Sequence, residues 1–249
     1  QFALVFGQED LSDLTGEILR RWILDLGQSP RSITNYRGAL QNFFNYAIRR
    51  HWLASSPIKQ VFVEDLPKVG RSDKHALTVD QANAALAVIE RERPQWLAHF
   101  ALRFFLGFRS AEAGRFEWQW IQPELGRVYI PARATKTGDA WSIDDVPPRF
   151  WALIQPLLQD QFGKSRTGHI AAPYPREWDG CKGDDGRAPV VGLKAKILKE
   201  IKQKSWAQNT TRDTFCTLHM SAYRSAERTA LVLKHRNSQT LWQSYLGTL

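Results

Sequence analysis

Four widely separated segments of this chain carry side chains that could act together on an anion. Gly107-Phe108-Arg109-Ser110-Ala111-Glu112 follows an apolar stretch, and Ala134-Thr135-Lys136-Thr137 falls between two short runs of β-forming residues. Asn209-Thr210-Thr211-Arg212-Asp213-Thr214-Phe215 opens a late helical pattern, and His235 precedes Tyr245 near the end of the sequence. Guanidinium groups stay charged and offer a planar fork that can donate two bonds to one phosphate or carboxylate. A phenol, with an ordinary pKa of about 10, is mostly protonated at neutral pH and needs a base or a cationic field to become a nucleophile. Taken singly, each residue has a plainer reading. Arg109 and Glu112 would form a surface ion pair on a helix, Lys136 would be a solvated turn residue, and Arg212 a helix-face cation. His235 would cap a helix C-terminus, and Tyr245 would pack beside Leu241 and Trp242.

In this order and context the segments resemble the tyrosine recombinases, the phage-integrase family of site-specific DNA recombinases, over nearly the whole chain. The resemblance implies a mostly α fold with a small antiparallel β-hairpin, in two domains. A helical, SAM-like core-binding domain is expected at 1–66, a linker at 67–76, and an integrase-type catalytic domain at 77–249. It implies Arg109 and Arg212 as the two catalytic arginines, with Glu112 in the Gly-x-Arg-x-x-Glu segment supporting them. Lys136 takes the place of the hairpin lysine, His235 that of the His or Trp before the nucleophile, and Tyr245 that of the nucleophile. Asn209 stands where a His-x-x-Arg segment usually has His; it would hydrogen-bond phosphate, or else serve as a helix N-cap. The implied reaction is DNA strand cleavage through a 3′-phosphotyrosyl intermediate, then rejoining by a 5′-hydroxyl of a partner strand. No metal, nucleotide or other cofactor is expected. Double-stranded DNA is the implied partner, with self-assembly as a tetramer upon it.

Elementary chemistry supports these residue types. Phosphoryl transfer concentrates negative charge on the non-bridging oxygens, and preorganised cations aimed there are usually the largest source of catalysis. Two arginines can thus replace the divalent cation that many nucleases use. His235 is the candidate base for the phenol, and Lys136 the candidate acid for the departing 5′-oxygen. Three positions depart from the family pattern: Asp213 follows Arg212 where His is common, Lys234 precedes His235 where Gly is common, and Asn237 offers a second alignment for the His position. Two rival functions follow, a DNA-binding protein of impaired catalysis on the same fold and a type IB-like topoisomerase that rejoins the strand it cut.

The elements that must position these groups are legible as patterns. Ser29-Pro30 is a helix start, and Ile33, Tyr36, Leu40, Phe43, Phe44, Ala47 and Ile48 follow at three- and four-residue steps. Arg31 and Arg49 fall on the opposite face and are candidate DNA phosphate contacts. Arg37 lies at the stripe's edge and is a further candidate, although its stem could simply cover the core. Gly38 marks a weak point in this helix. An earlier helix is expected at about 14–26. Thr78-Val79-Asp80-Gln81 is a capping-box pattern, and Pro94 restarts a helix. Arg127–Ile130 and Trp141–Ile143 read as a hairpin about Thr137-Gly138-Asp139. Helices are expected near 150–161, 193–204, 210–223 and 225–233, with a long surface loop at 163–192. Lys194, Lys196, Lys199, Lys202 and Lys204 share one of these segments; Lys199 and Lys202 are candidate DNA contacts beside the default reading of a solvated face.

Composition narrows the classes. The 249 residues include 34 Lys+Arg and 25 Asp+Glu, a net charge of +9, with 43% hydrophobic residues, 10 Trp and 13 Phe. That is enough apolar material to fill a core, and a basic excess of the kind nucleic-acid-binding domains carry. An acidic membrane surface would favour the same sign of charge, but no stretch approaches the roughly 20 apolar residues of a membrane span. No secretory signal opens the chain, and Cys181 and Cys216 are too few for a disulfide framework, so a cytoplasmic location is expected. The initial Gln and a single Met at 220 suggest a fragment of a longer product. His169 and Cys181 alone make no zinc site; His51, His75, His99 and His219 read as structural.

Overall fold

The computed structural model describes residues 1–70, 76–135, 138–170, 191–207, 209–234, 238–239 and 241–242. The fold is mostly helical with one small antiparallel sheet among these residues. The chain divides into two compact units, Gln1–Asp73 and Lys74–Leu249. Residues 71–75 of the expected linker lie outside the described residues, as do Lys136, Cys181, His235, Asn237 and Tyr245.

In the first unit, helices α1 (Phe2–Phe6), α2 (Gly16–Asp25) and α3 (Pro30–Arg49) surround one core. The Ser29 hydroxyl accepts the Ser32 N–H at 3.3 Å, and Pro30 sits in the first turn, where its missing N–H costs nothing. Ile33, Leu40, Phe44 and Ala47 are buried along one face. Leu19 and Ile23 of α2 and Ile58 and Val61 of the following turn complete the cluster. The helix runs unbroken through the weak point at Gly38. Glycine costs a helix about 1 kcal/mol, less than burial of the stripe contributes. Arg37 is held within this unit, its Nε donating to the Val61 carbonyl at 2.7 Å.

The second unit is organised around α5 (Leu97–Phe105), whose residues Leu97 through Phe104 are all buried. Helices α4 (Val79–Glu92), α7 (Pro148–Ile154) and α9 (Thr210–Tyr223) pack against it, and α8 (Val191–Glu200) packs on α4. The capping box forms: the Thr78 hydroxyl accepts the Gln81 N–H at 3.2 Å and Gln81 Oε1 accepts the Thr78 N–H at 3.1 Å. After α5 come the short α6 (Ser110–Gly114) and strands β1 (Ile121–Gln122), β2 (Arg127–Ile130) and β3 (Trp141–Ile143). The sheet is antiparallel in sequence order, with Val128 opposite both Ile121 and Ile143. Val128, Ile130 and Ile143 join Phe108, Phe116 and Phe150 in the core. Helix α10 (Ala226–Val232) starts at Ser225, whose hydroxyl accepts the Arg228 N–H at 3.1 Å.

Several boundaries differ from expectation. Strand β1, only two residues long, has no alternation to betray it. The helix expected at 150–161 is α7 followed by a single 3₁₀ turn over Gln155–Leu157, where Pro156 cannot donate to the helical ladder. The helix expected to reach Lys204 stops at Glu200, and Lys202 adopts a left-handed φ of 53°. Lys202 and Lys204 therefore do not share a helix face with Lys199, and Lys196 pairs with Glu92 at 2.5 Å. The start of the expected surface loop is anchored instead: Ile170 is buried and its N–H donates to the Phe116 carbonyl at 2.8 Å.

His219 on α9 packs between Phe215 and Tyr223, with Nδ1 at 2.8 Å from the Thr229 hydroxyl. Burial, reinforced by Arg228 and opposed by Asp145, pushes its pKa down from 6.5 to about 4. The folded form thus keeps the ring neutral where an unfolded chain would protonate it. This contribution is complete above pH 6.5 and is lost as pH falls toward 4. Urea midpoints measured from pH 7.5 to 4.5 are expected to fall, and His219→Gln to remove on the order of 2 kcal/mol of that fall.

Candidate active site

The end of α5 builds the first half of the site. Leu106 closes the helix, and Gly107 reverses the chain with φ of 68°. A Cβ there would stand 2.5 Å from both Leu233 Cδ2 and Phe215 Cδ1, so only glycine lets this turn sit against α9 and α10. Arg109 follows in extended conformation at the head of α6. Its backbone N–H donates to Glu112 Oε2 at 2.8 Å and its Nη1 donates to Glu112 Oε1 at 2.7 Å.

The second half comes from α9. Arg212 lies in the first turn of that helix, 8% exposed, and its Nη1 donates to the Gly107 carbonyl. The same nitrogen is 3.9 Å from Glu112 Oε2. One carboxylate is therefore shared by the two guanidinium groups. Burial tends to raise the pKa of Glu112, but the Arg109 N–H and guanidinium, with Arg212 behind them, outweigh it and hold the carboxyl below its ordinary 4.5. The charged form persists at neutral pH, and its orienting effect is lost as pH falls through that lowered value.

Arg109, Glu112 and Arg212 line a single cavity of about 170 Å³, together with Thr135 from the end of the hairpin arm and Lys234 from the end of α10. Phe108 and Trp141, stacked at 6.3 Å between centroids, form part of its apolar wall. Such a pocket can hold a small anion between cations against a water-poor wall, where charge interactions are strong. Arg109, with more than half of its side chain exposed, is accessible to a large substrate; Arg212 is held by the core.

The other candidates distribute as follows. Lys136, His235 and Tyr245 lie outside the described residues, although their neighbours Thr135 and Lys234 line the cavity. Asn209 does not line it; it is exposed, its side chain makes no cap bond, and its carbonyl accepts the Asp213 N–H at 2.8 Å. The alternative of a side-chain N-cap is thus not realised. Asp213 is buried and does not line the cavity. Arg31 and Arg49 are exposed on α3, Lys199 is exposed on α8, and Lys202 lies beyond that helix. Among the described residues no three His, Cys, Asp or Glu side chains are grouped to hold a metal ion, and no helix is long and apolar enough to cross a membrane. Thr135, Trp141 and Lys234 were not expected as lining residues; Thr135 and Lys234 adjoin suspected positions, and Trp141 opens an expected strand.

Gly107→Ala should force the left-handed turn and the contacts to Phe215 and Leu233 to shift, destabilising the protein by about 1–3 kcal/mol. A thermal melt and phosphate-dependent stabilisation, both reduced, would be the readout.

No family model matches this chain, and no curated protein matches it. Solved structures do. The Tn1549 transposon integrase (residues 82–397) in complex with a circular intermediate DNA superposes with TM-score 0.66 at 15% identity, over 97% of this chain and 86% of that one. XerH site-specific recombinase bound to palindromic difH substrate, a post-cleavage complex, gives TM-score 0.65 at 15% identity, over 97% and 72%. A lambda integrase (75–356) dimer bound to a COC′ core site gives 0.60 at 15%, over 93% and 82%.

Proposed function

We propose that this chain, which shares the fold of the tyrosine recombinases, is a metal-independent, site-specific DNA recombinase acting in the cytoplasm. The observation that carries the reading is the convergence of Arg109 and Arg212, from two distant segments, on one carboxylate beside one cavity. Two fixed cations answer the charge that develops on the non-bridging oxygens of a scissile phosphate. Glu112 accepts two hydrogen bonds from Arg109 and lies 3.9 Å from Arg212.

In the proposed reaction the Tyr245 oxygen attacks the phosphorus and the bond to the 5′-oxygen breaks. The phenol proton passes to His235, and Lys136 gives a proton to the departing oxygen. The 3′-phosphotyrosyl ester conserves the bond, so a 5′-hydroxyl of a partner strand can reverse the step without ATP. Asn209 is assigned no part in the cavity. The core-binding role falls to the first unit and the catalytic role to the second, with several copies assembling on the DNA. The +9 net charge supports duplex DNA as partner. So does α3, which carries three arginines and no acidic residue. Arg31 and Arg49 are the phosphate contacts proposed there, with Lys199 in the second unit; Arg37, whose Nε donates to the Val61 carbonyl, has its terminal nitrogens left for a phosphate.

The decisive experiment uses a suicide duplex bearing the site that the protein selects from random DNA, followed by denaturation. A covalent protein–DNA adduct is expected, absent in Tyr245→Phe with DNA binding retained. Arg109→Ala or Arg212→Ala should lower its rate by about 10²–10³. Binding without any wild-type adduct would leave a non-catalytic DNA-binding protein, and sequence-independent relaxation of supercoils would indicate a topoisomerase. In a separate salt titration, Arg31→Ala and Arg49→Ala should each reduce the slope of log affinity against log salt by about 1.

A further inference from the structure

Lys234 joins two borders of the cavity, the end of α10 and the turn before β3. Its backbone is left-handed, with φ of 50°, a conformation that costs a non-glycine residue roughly 1–2 kcal/mol. A glycine would adopt it freely. The lysine side chain, however, makes contacts that a glycine could not. Nζ donates to the Asp139 carbonyl at 2.9 Å and lies 3.7 Å from the Asp139 carboxylate. The Thr135 hydroxyl lies 3.1 Å from that same carbonyl and 3.0 Å from the Ala132 carbonyl. Gly138, the residue before Asp139, is left-handed with φ of 75°. Thr135 and Lys234 are thereby held to one oxygen. At the opposite end of β3, Arg228 of α10 pairs with Asp145. The two pairs pin the same helix to both ends of the strand.

Such a contact does little for stability: the Asp139 side chain is 68% exposed, and exposed pairs contribute about 0–1 kcal/mol. Its consequence is geometric. Thr135 and Lys234 both line the cavity with Arg109 and Arg212, and each is the immediate chain neighbour of a residue assigned to proton transfer, Lys136 and His235. We propose that Lys234 is a positioning residue, whose ammonium clasps Asp139, and with it Thr135, to the end of α10 and so holds the chain on both sides of the proposed acid at the arginine-lined cavity. The proposal rests on the recombinase reading for its catalytic consequence, but the clasp itself does not.

The test compares the full-length wild type with Lys234→Gly and Lys234→Arg. Amide hydrogen exchange is read at Gly138 and Asp139. Single-turnover cleavage is read on an ordinary suicide duplex and on one with sulfur in place of the bridging 5′-oxygen. A thiolate leaves without a proton, since its conjugate acid has a pKa near 8.5, so the sulfur duplex bypasses the acid assigned to Lys136. Lys234→Gly should speed exchange at the turn and slow cleavage of the oxygen duplex, each by about tenfold. It should leave the sulfur duplex and DNA affinity nearly unchanged. Lys234→Arg, which keeps a cation within reach, should recover most of the rate. Unchanged exchange in Lys234→Gly would overturn the clasp, and an equal loss on both duplexes would show that Lys234 acts on the phosphate rather than through the turn. Absence of any adduct from the wild type would sink the recombinase reading, while the exchange rates would still decide for or against the clasp.

Discussion

Placing two guanidinium groups beside one pocket is an electrostatic problem before it is a catalytic one. Like charges repel, and burying either without a partner is expensive. The molecule meets this with the Glu112 carboxylate, which accepts from Arg109 and faces Arg212, and with the Gly107 carbonyl, which accepts from Arg212. Both acceptors come from the short stretch that leaves α5. The cations are therefore assembled during folding, and an incoming phosphate would find donors already oriented, with little reorganisation left to perform.

That arrangement is only as rigid as the core behind it. Helix α5 is buried along nearly its whole length and delivers Gly107 to the point where α9 and α10 meet. Phe215 and Leu233, which crowd Gly107, belong to the small cluster that also holds Met220 and Leu241. The hairpin is tied into the same region through Trp141, stacked on Phe108. Two packing clusters thus bear on one pocket, so a change well away from the arginines can displace them. The first unit has its own core and its own basic helix.

The departures from the recombinase pattern look different in three dimensions. Asp213 is buried and does not line the cavity beside Arg212. Lys234 occupies a left-handed position that glycine would adopt freely, and it puts a side chain to use there. Asn209 is exposed and does not line the pocket among the described residues.

Local rules were enough to read much of this from the residues alone. Ser29-Pro30, Thr78 with Gln81, and Ser225 each set a helix start through a hydroxyl placed next to free N–H groups. The apolar stripe of α3 and the β-branched residues of β2 likewise follow from periodicity. Arg109, Glu112 and Arg212 were visible as residue types in a telling order. What remained hidden depends on groups distant in sequence. Whether Arg37 faces solvent turns on the Val61 carbonyl, the end of α8 on a left-handed Lys202, and the role of Lys234 on an aspartate across the hairpin. Spacing along a chain dictates which groups share a helix face, because that depends on backbone geometry a few residues long. Which two cations share one carboxylate is decided only when α5 and α9 pack, since no local interaction links Gly107 to Arg212 before the core has formed.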